Sequence, residues 1–350
     1  MTHSSPLSSL AIALTTGAIA CMPLLSGCRS TNQVPQPQQA GVCTSFWRRV
    51  TPADSLMPGY RVVYEGTKRR DVVPVQEWTC YPGEDSYRAF HHHGVAVESA
   101  LMAYRIYFDK KHTIDVYAKR TPRLELPTSY WYPDETQLER HYGDDILRVG
   151  GTVGVGSVKP WNGSKMVHFD SVASRTQRIV SCTHDRAVME VVVRGWKNGK
   201  QPVDSLTVRY TLEAGHRDML CEIFCSDSVT NLCTGVQRVG QSSAHIDTYL
   251  QESKGGTVIS TWGTDWPVND TIRYAKETVG LAVCIPQAYC GEYVHDKHNH
   301  LAMLRLHKHT GTMWYARFRL TVVAQKEDTP PARNEEEFRA FLKQWCMGKE

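Results

Sequence analysis

Residues 188–212 read Val-Met-Glu-Val-Val-Val-Arg-Gly-Trp-Lys-Asn-Gly-Lys-Gln-Pro-Val-Asp-Ser-Leu-Thr-Val-Arg-Tyr-Thr-Leu. Two runs rich in β-branched residues, Val188–Val193 and Leu206–Leu212, flank the turn-forming segment Trp196–Lys200. β-Branched side chains favour extended backbone, and Asn-Gly favours a reversal of direction. The same grammar repeats along the chain from Val95 onward: Leu101–Phe108, Thr113–Tyr117, Val258–Trp262, Leu281–Ile285, Leu301–Leu306 and Trp314–Val323. Thr310-Gly-Thr312 is expected to close a hairpin between the last two runs. Many strands and few helical stretches predict an all-β fold of stacked antiparallel sheets, a β-supersandwich with a few short helices.

Two helices are expected. Asp134 to Tyr142 is short, capped by Asp134 and stopped by Gly143. The C-terminal one begins at Asn334, with Glu337 three residues on as in a capping box, and places Phe338, Phe341, Leu342 and Trp345 on one face.

The chain has 350 residues, of which 41% are hydrophobic and 22% charged, so it can fill a sizeable core. Net charge is +4 with the signs mixed along the chain, and no basic tract supports a nucleic-acid partner. Leu10 to Leu25 is apolar and small, then ends in Leu25-Ser26-Gly27-Cys28. This resembles a bacterial lipobox, in which the Cys28 thiol is acylated and becomes the mature first residue. The n-region departs from the pattern, carrying His3 but no Lys or Arg; an ordinary secretory signal cut near this point is the alternative. Residues 1–28 are thus expected to be a signal segment, 29–42 a polar, Pro- and Gln-rich tether, and 43–350 one β-sandwich domain. The expected location is the bacterial periplasm, with lipid as the only link to the membrane, the outer one by expectation. Nine cysteines follow Cys28, an odd number in a compartment that permits disulfides. No Cys-x-x-Cys pair is present, which argues against a zinc site.

Several motifs recur in order between Tyr87 and Gln237. They are Phe90-His91-His92-His93-Gly94, Glu98 to Asp109, Ile114 to Lys119, Gly143-Asp144-Asp145 to Gly150, Gly154 to Trp161, Tyr210 to Asp218 and Gly235-Val236-Gln237. Together they resemble the DUF4861 family of Bacteroidetes proteins. The resemblance covers most of the mature chain. It implies a supersandwich related to galactose-mutarotase-like folds and some polysaccharide lyases, among enzymes for pectin-type glycans. Many members have Gly-Pro where this chain has Gly94-Val95 after His93.

The residues themselves offer several groups for chemistry. In an extended segment His91 and His93 share a face and His92 points away. Imidazole suits proton transfer near neutral pH, so His92 and His93 are candidate catalytic groups and His91 a substrate contact. Glu98 and Arg105 follow closely, and Arg can grip a uronate carboxylate in a two-point fashion. Tyr104, with Tyr107 and Tyr117, can serve as acid or base beside a cation, or pack in the core. Asp145, beside Asp144 and Arg148, can hold a sugar hydroxyl or a divalent cation, or merely form an ion pair. The glycines from Gly150 to Gly156 precede no helix, so close backbone approach explains them better than phosphate binding. Lys159 and Trp161 are substrate-binding candidates, Trp161 by stacking on a sugar face. His216-Arg217-Asp218 brings imidazole, guanidinium and carboxylate together just after Gly215, with His216 catalytic and Arg217 a binding group. Trp262 and Trp266 could form an aromatic platform, and the run from His295 to His309 matches no standard metal spacing.

The expected function is action on acidic, pectin-type oligosaccharide, with lyase-type β-elimination first. An epimerase or mutarotase-like enzyme and a non-catalytic glycan-binding lipoprotein are the alternatives. No cofactor is required, a divalent cation is left open, and the oligomeric state is not readable from sequence.

Overall fold

A computed structural model describes residues 40–65, 68–129, 131–199, 201–251, 254–272 and 274–348. The signal segment with Cys28, and tether residues 29–39, lie outside them. The first strand opens at Val42, where Val42 pairs with Ser99, one residue ahead of the domain start read from sequence. None of the described helices is long and apolar enough to cross a membrane.

The structure is an antiparallel β-sandwich built on two large sheets. One has five strands in the order Val42–Ser45, Gly94–Ser99, Met102–Tyr107, Ile114–Ala118, Asp144–Asp145. The other has ten. Its main path runs Ala244–Gln251, Lys254–Asp265, Glu277–Ile285, Trp314–Ala324, Met219–Cys225, Gln201–Glu213, Arg186–Asn198, Ser174–Cys182, Glu77–Cys80. A four-stranded and a three-stranded sheet flank them. The stretch quoted at the outset is the centre of the large sheet: Val191 pairs with Val208, and Asn198 with Gln201 at the turn.

Alternation explains how the sheets meet. On the small sheet Val95, Val97, Met102, Tyr104, Ile106, Ile114 and Val116 point one way. On the large sheet Met189, Val191, Val208, Tyr210, Ile223 and Leu320 point toward them, and all of these belong to one buried apolar cluster. Burying each such side chain stabilises the fold by about 1.5–3 kcal/mol.

The two expected helices form. Asp134 caps Glu135–Glu139 by accepting a hydrogen bond from the Gln137 amide. Asn334 caps Glu335–Cys346 by accepting one from the Glu337 amide. Phe338, Leu342 and Trp345 are buried against Val258, Ala282 and Val323, on the outer face of the large sheet.

The expected hairpin at Thr310–Thr312 requires correction. The strand Asn299–Leu304 belongs to the four-stranded sheet, paired with Leu232–Gln237 and Cys290–His295. The turn instead joins the two-residue strand His307–Lys308 to Trp314–Ala324. Arg305 and Leu306 carry the chain from one sheet to the other, which local pattern does not reveal.

Candidate functional site

The His91–His93 segment is not extended. It is a tight 3-10 turn, with φ of +57° at His92 and +61° at His93. Non-glycine residues rarely adopt that left-handed region. The three rings therefore do not alternate across a strand. His91 stacks on Trp47 at 5.4 Å, and His93 stacks on Tyr87 at 4.0 Å. His92 lies edge-on to Trp131 at 5.9 Å. His91 and His92 are buried, and burial pushes the His91 pKa down to about 3 and that of His92 well below the usual imidazole range.

The face of the small sheet turned away from the core holds Glu98, Arg105 and Asp145, roofed by the segment from Thr121 to Tyr142. Leu126 and Trp131 of that segment pack on Ala96, Ala103 and Tyr117. Two ion-pair clusters lie beneath it. In one, Glu98 pairs with Lys119 and accepts hydrogen bonds from the amides of Glu125 and Leu126. In the other, Arg105 donates to Asp115 at 2.7 Å, Tyr132 at 3.0 Å and Tyr107 at 3.1 Å, and stands 3.6 Å from Asp145. Its guanidinium also lies over the Trp131 ring at 4.4 Å. Burial, then the Asp115 carboxylate, push the Asp145 pKa well above the ordinary carboxylate range. The structure thus brings His92, Arg105 and Asp145 into one neighbourhood, and sets Glu98 apart with Lys119. Arg105 and Asp145 are 1% and 2% exposed, so these groups meet each other rather than solvent. Asp144, next in chain, points elsewhere and pairs with Lys326.

Asp115 is the member of this cluster that the sequence reading passed over. Its signal was present: Arg105 and Asp115 sit on neighbouring alternating runs, at positions that an antiparallel pairing sets opposite each other.

Lys159 is fully buried on a two-residue strand. Its ammonium donates to the Lys111 carbonyl and to Thr113 Oγ1 at 2.7 Å, and burial brings its pKa down to about 7. Trp161 is half-buried and packs with Val153, Met166, Cys233 and Leu301. Trp262 lies under the C-terminal helix, 5.3 Å from Phe338. Gly154 and Gly156 do serve close approach: a Cβ at Gly154 would sit 2.3 Å from the Ile114 carbonyl oxygen, and one at Gly156 2.6 Å from Leu320. Gly150 and Gly151 have open space around them.

The remaining candidates gather at a hollow of about 600 Å³ beside the C-terminal helix. Gly215, Arg217 and Leu101 line one side, and Ala340, Phe341 and Gln344 of the helix line the other. The volume falls within the roughly 300–1,000 Å³ of small-molecule sites. Between Gly215 and Arg217 stands His216, 49% exposed, with its Nδ1 3.2 Å from Oδ1 of the nearly buried Asp218. Ser99 donates to the His216 carbonyl at 2.6 Å, and the Tyr104 hydroxyl donates to the Arg217 carbonyl. Tyr104 thus fixes the backbone of this segment from below. Its hydroxyl is buried, and burial pushes its pKa well above the phenol range. Arg217 itself is held at both guanidinium nitrogens by Glu327, each at 3.0 Å.

A family model described as a domain of unknown function (DUF4861) matches residues 57–348. No curated protein matches the sequence. Among solved structures, a protein in glycosyl hydrolase family 38 from Enterococcus faecalis aligns with a TM-score of 0.38 and 7% identity. The alignment covers 90% of this chain and 41% of that one, so this chain spans well under half the length of that protein. A likeness of that size carries no argument about activity.

Proposed function

The chain belongs to the DUF4861 family, and from that premise and the geometry we propose that it is a carbohydrate-active protein that shifts a proton on a sugar seated beside His216. One observation carries the reading. A half-exposed imidazole, hydrogen-bonded to a nearly buried carboxylate, stands between two residues that line a sugar-sized hollow. That is the arrangement a general base or acid needs: the Asp218 carboxylate orients the ring through Nδ1, and the half-exposed imidazole keeps access to solvent. Phe341 and Leu101 supply apolar surface for the carbon face of a sugar ring, and Gln344 supplies an amide for its hydroxyls.

Among reaction types, epimerase- or mutarotase-like proton transfer fits this geometry better than β-elimination. Elimination from a uronate needs a cation free to stabilise the charge developing at the carboxylate. Arg105 and Arg217 are both already bound by carboxylates, Asp115 and Glu327. Mutarotase-like transfer takes a proton from the anomeric hydroxyl and delivers one to the ring oxygen as the ring opens and recloses, and makes no such demand. The resemblance of Leu25–Cys28 to a lipobox supports a periplasmic, lipid-anchored location as part of the same proposal.

The test uses the purified protein with a panel of neutral and acidic sugars and oligosaccharides. Anomer and epimer interconversion is followed by NMR, and elimination by the absorbance of unsaturated ends. The expected result is interconversion that falls at least 100-fold in His216→Ala, on the roughly 10²–10⁴-fold scale of a lost acid–base group. New unsaturated ends would restore the lyase reading. Binding without turnover, unchanged in His216→Ala, would leave a glycan-binding protein.

A further inference from the structure

The apolar cluster beneath the C-terminal helix contains two cysteines from distant parts of the chain. Cys284 lies near the end of the strand Glu277–Ile285, on the outer face of the large sheet, and Cys346 is the last residue of the helix. They are 4% and 3% exposed, and both pack with Val258, Ala282, Phe338, Leu342 and Trp345. Their Sγ atoms stand 2.7 Å apart. Carbon atoms in van der Waals contact rest at roughly 3.5–4.0 Å and sulfur is no smaller, so two thiols do not settle at this separation. We propose that Cys284 and Cys346 form a disulfide that ties the C-terminal helix to the large sheet.

The surroundings suit that bond. Arg319 sits beside the pair and donates to the carbonyls of Trp345, at 2.6 Å, and Cys346, at 3.3 Å, so the last turn of the helix is already held over Cys284. Before the helix docks, either sulfur can open the exchange as its thiolate, here Cys346. The oxidant is a disulfide-bearing thiol oxidoreductase or a small-molecule disulfide. Cys346 sulfur attacks one of its sulfurs and breaks the S–S bond, giving a mixed disulfide and one released thiol. Cys284 sulfur then displaces the second. The two protein thiols give up two hydrogens and become the disulfide, and the oxidant gains them, the oxidoreductase leaving as a dithiol and the small-molecule disulfide as two thiols. The exchange takes place before the helix docks, while both sulfurs are reachable.

The bond closes a loop in which the cysteines are 62 residues apart. It adds a covalent tie to the end of a helix otherwise held by its cap at Asn334, its apolar face and polar contacts with Arg319, Asp247 and His245. Ala340, Phe341 and Gln344 of that helix wall the hollow beside His216, so the same bond sets the width of the hollow. The inference stands on packing alone and does not depend on the sugar reading.

Peptide mapping of the full chain, purified after export or refolded with oxidised glutathione and alkylated without reduction, tests it. The expected product is a cross-linked pair: tryptic peptide 277–297 joined to peptide 344–349. Cys290 shares the first peptide with Cys284, so fragment ions must place the bridge on Cys284. Protein refolded under reductant, and the Cys346→Ser variant, should both melt about 5–10 °C below the oxidised wild type. Alkylation at both Cys284 and Cys346, a bridge from either one to a different cysteine, or equal melting of oxidised and reduced wild type would each overturn the proposal. The mapping needs no variant, so a misfolded mutant cannot decide the outcome.

Discussion

Arg105 and Asp115 stand opposite each other on neighbouring strands, and their side chains meet at 2.7 Å with each residue 1% exposed. A pair so placed holds the sheet to the segment that roofs it, because the same guanidinium also donates to Tyr132. Removing one member leaves the other charged and stranded in a medium that solvates it poorly. Arg105→Met is therefore expected to cost about 3–5 kcal/mol, and Asp115→Asn a comparable amount. The double variant should cost clearly less than the sum of the two, since neither charge is then left alone. Urea denaturation of the four proteins of this cycle measures the coupling. Additive losses would show that the pair contributes nothing jointly.

The second carboxyl at this guanidinium behaves differently. Burial and the neighbouring Asp115 raise the Asp145 pKa well above its unfolded value. The folded protein thus holds a proton there that the unfolded chain has released. The stabilisation this gives is complete below about pH 3.9, the unfolded value, and is lost as pH rises toward the folded value. Asp145→Asn carries no titrating proton and keeps the shape. Its unfolding free energy should therefore fall less between pH 4 and pH 8 than that of the wild type. Glu98, whose pKa is also raised by burial, adds a loss of the same sign, so the slope is reduced rather than abolished. Chemical denaturation across that range reads the difference directly, and parallel slopes would count against a protonated Asp145.

His91 predicts the opposite trend on the acid side. Its folded pKa is pushed down to about 3 by burial first and by the nearby Arg49 next. The unfolded chain takes up a proton near pH 6.5, and the folded chain does not. Stability is full above that value and is lost as pH falls from about 6.5 toward 3, at up to about 1.4 kcal/mol per pH unit. His91→Phe preserves an aromatic ring against Trp47 and cannot titrate. The variant should show a shallower acid limb, whatever its stability at pH 7. Equal limbs in the two proteins would remove His91 from the acid transition.

The strands were legible because period-two alternation and β-branched runs are local. Val188–Val193 and Leu206–Leu212 needed no knowledge of the rest of the chain. The caps at Asp134 and Asn334 were legible for the same reason, since each oxygen serves an amide three residues away. Sheet membership was not local. Asn299–Leu304 and Trp314–Ala324 are near in sequence, yet their partners come from residues 219–237 and 277–295. The candidate groups divided along the same line. His216, Arg217 and Asp218 stayed together because three consecutive residues cannot separate far. Glu98 and Arg105 are on adjoining strands, yet each found its own counter-charge, Lys119 and Asp115, whose places depend on register. The His91–His93 turn was hidden because its left-handed backbone comes from tertiary packing on Trp47, Tyr87 and Trp131, which outweighs the local preference of histidine.

The loop from Gly150 to Gly156 allows backbone conformation to be separated from close contact. Gly150 and Gly154 both have positive φ, +48° and +61°. Alanine at either position meets the left-handed penalty of roughly 1–2 kcal/mol. Around Gly150 there is nothing within 4 Å of an added Cβ. At Gly154 the same atom would press to 2.3 Å from the Ile114 carbonyl oxygen and 2.9 Å from the Thr113 side chain. Neither can retreat freely, because Ile114 is paired with Ile106 in the small sheet and Thr113 receives the buried Lys159 ammonium. Gly150→Ala should therefore lose about 1–2 kcal/mol, and Gly154→Ala about 3 kcal/mol or more. Thermal melts of the two variants provide the comparison. Equal losses would mean that φ alone sets the cost, and that the strand at Ile114 yields to the added methyl.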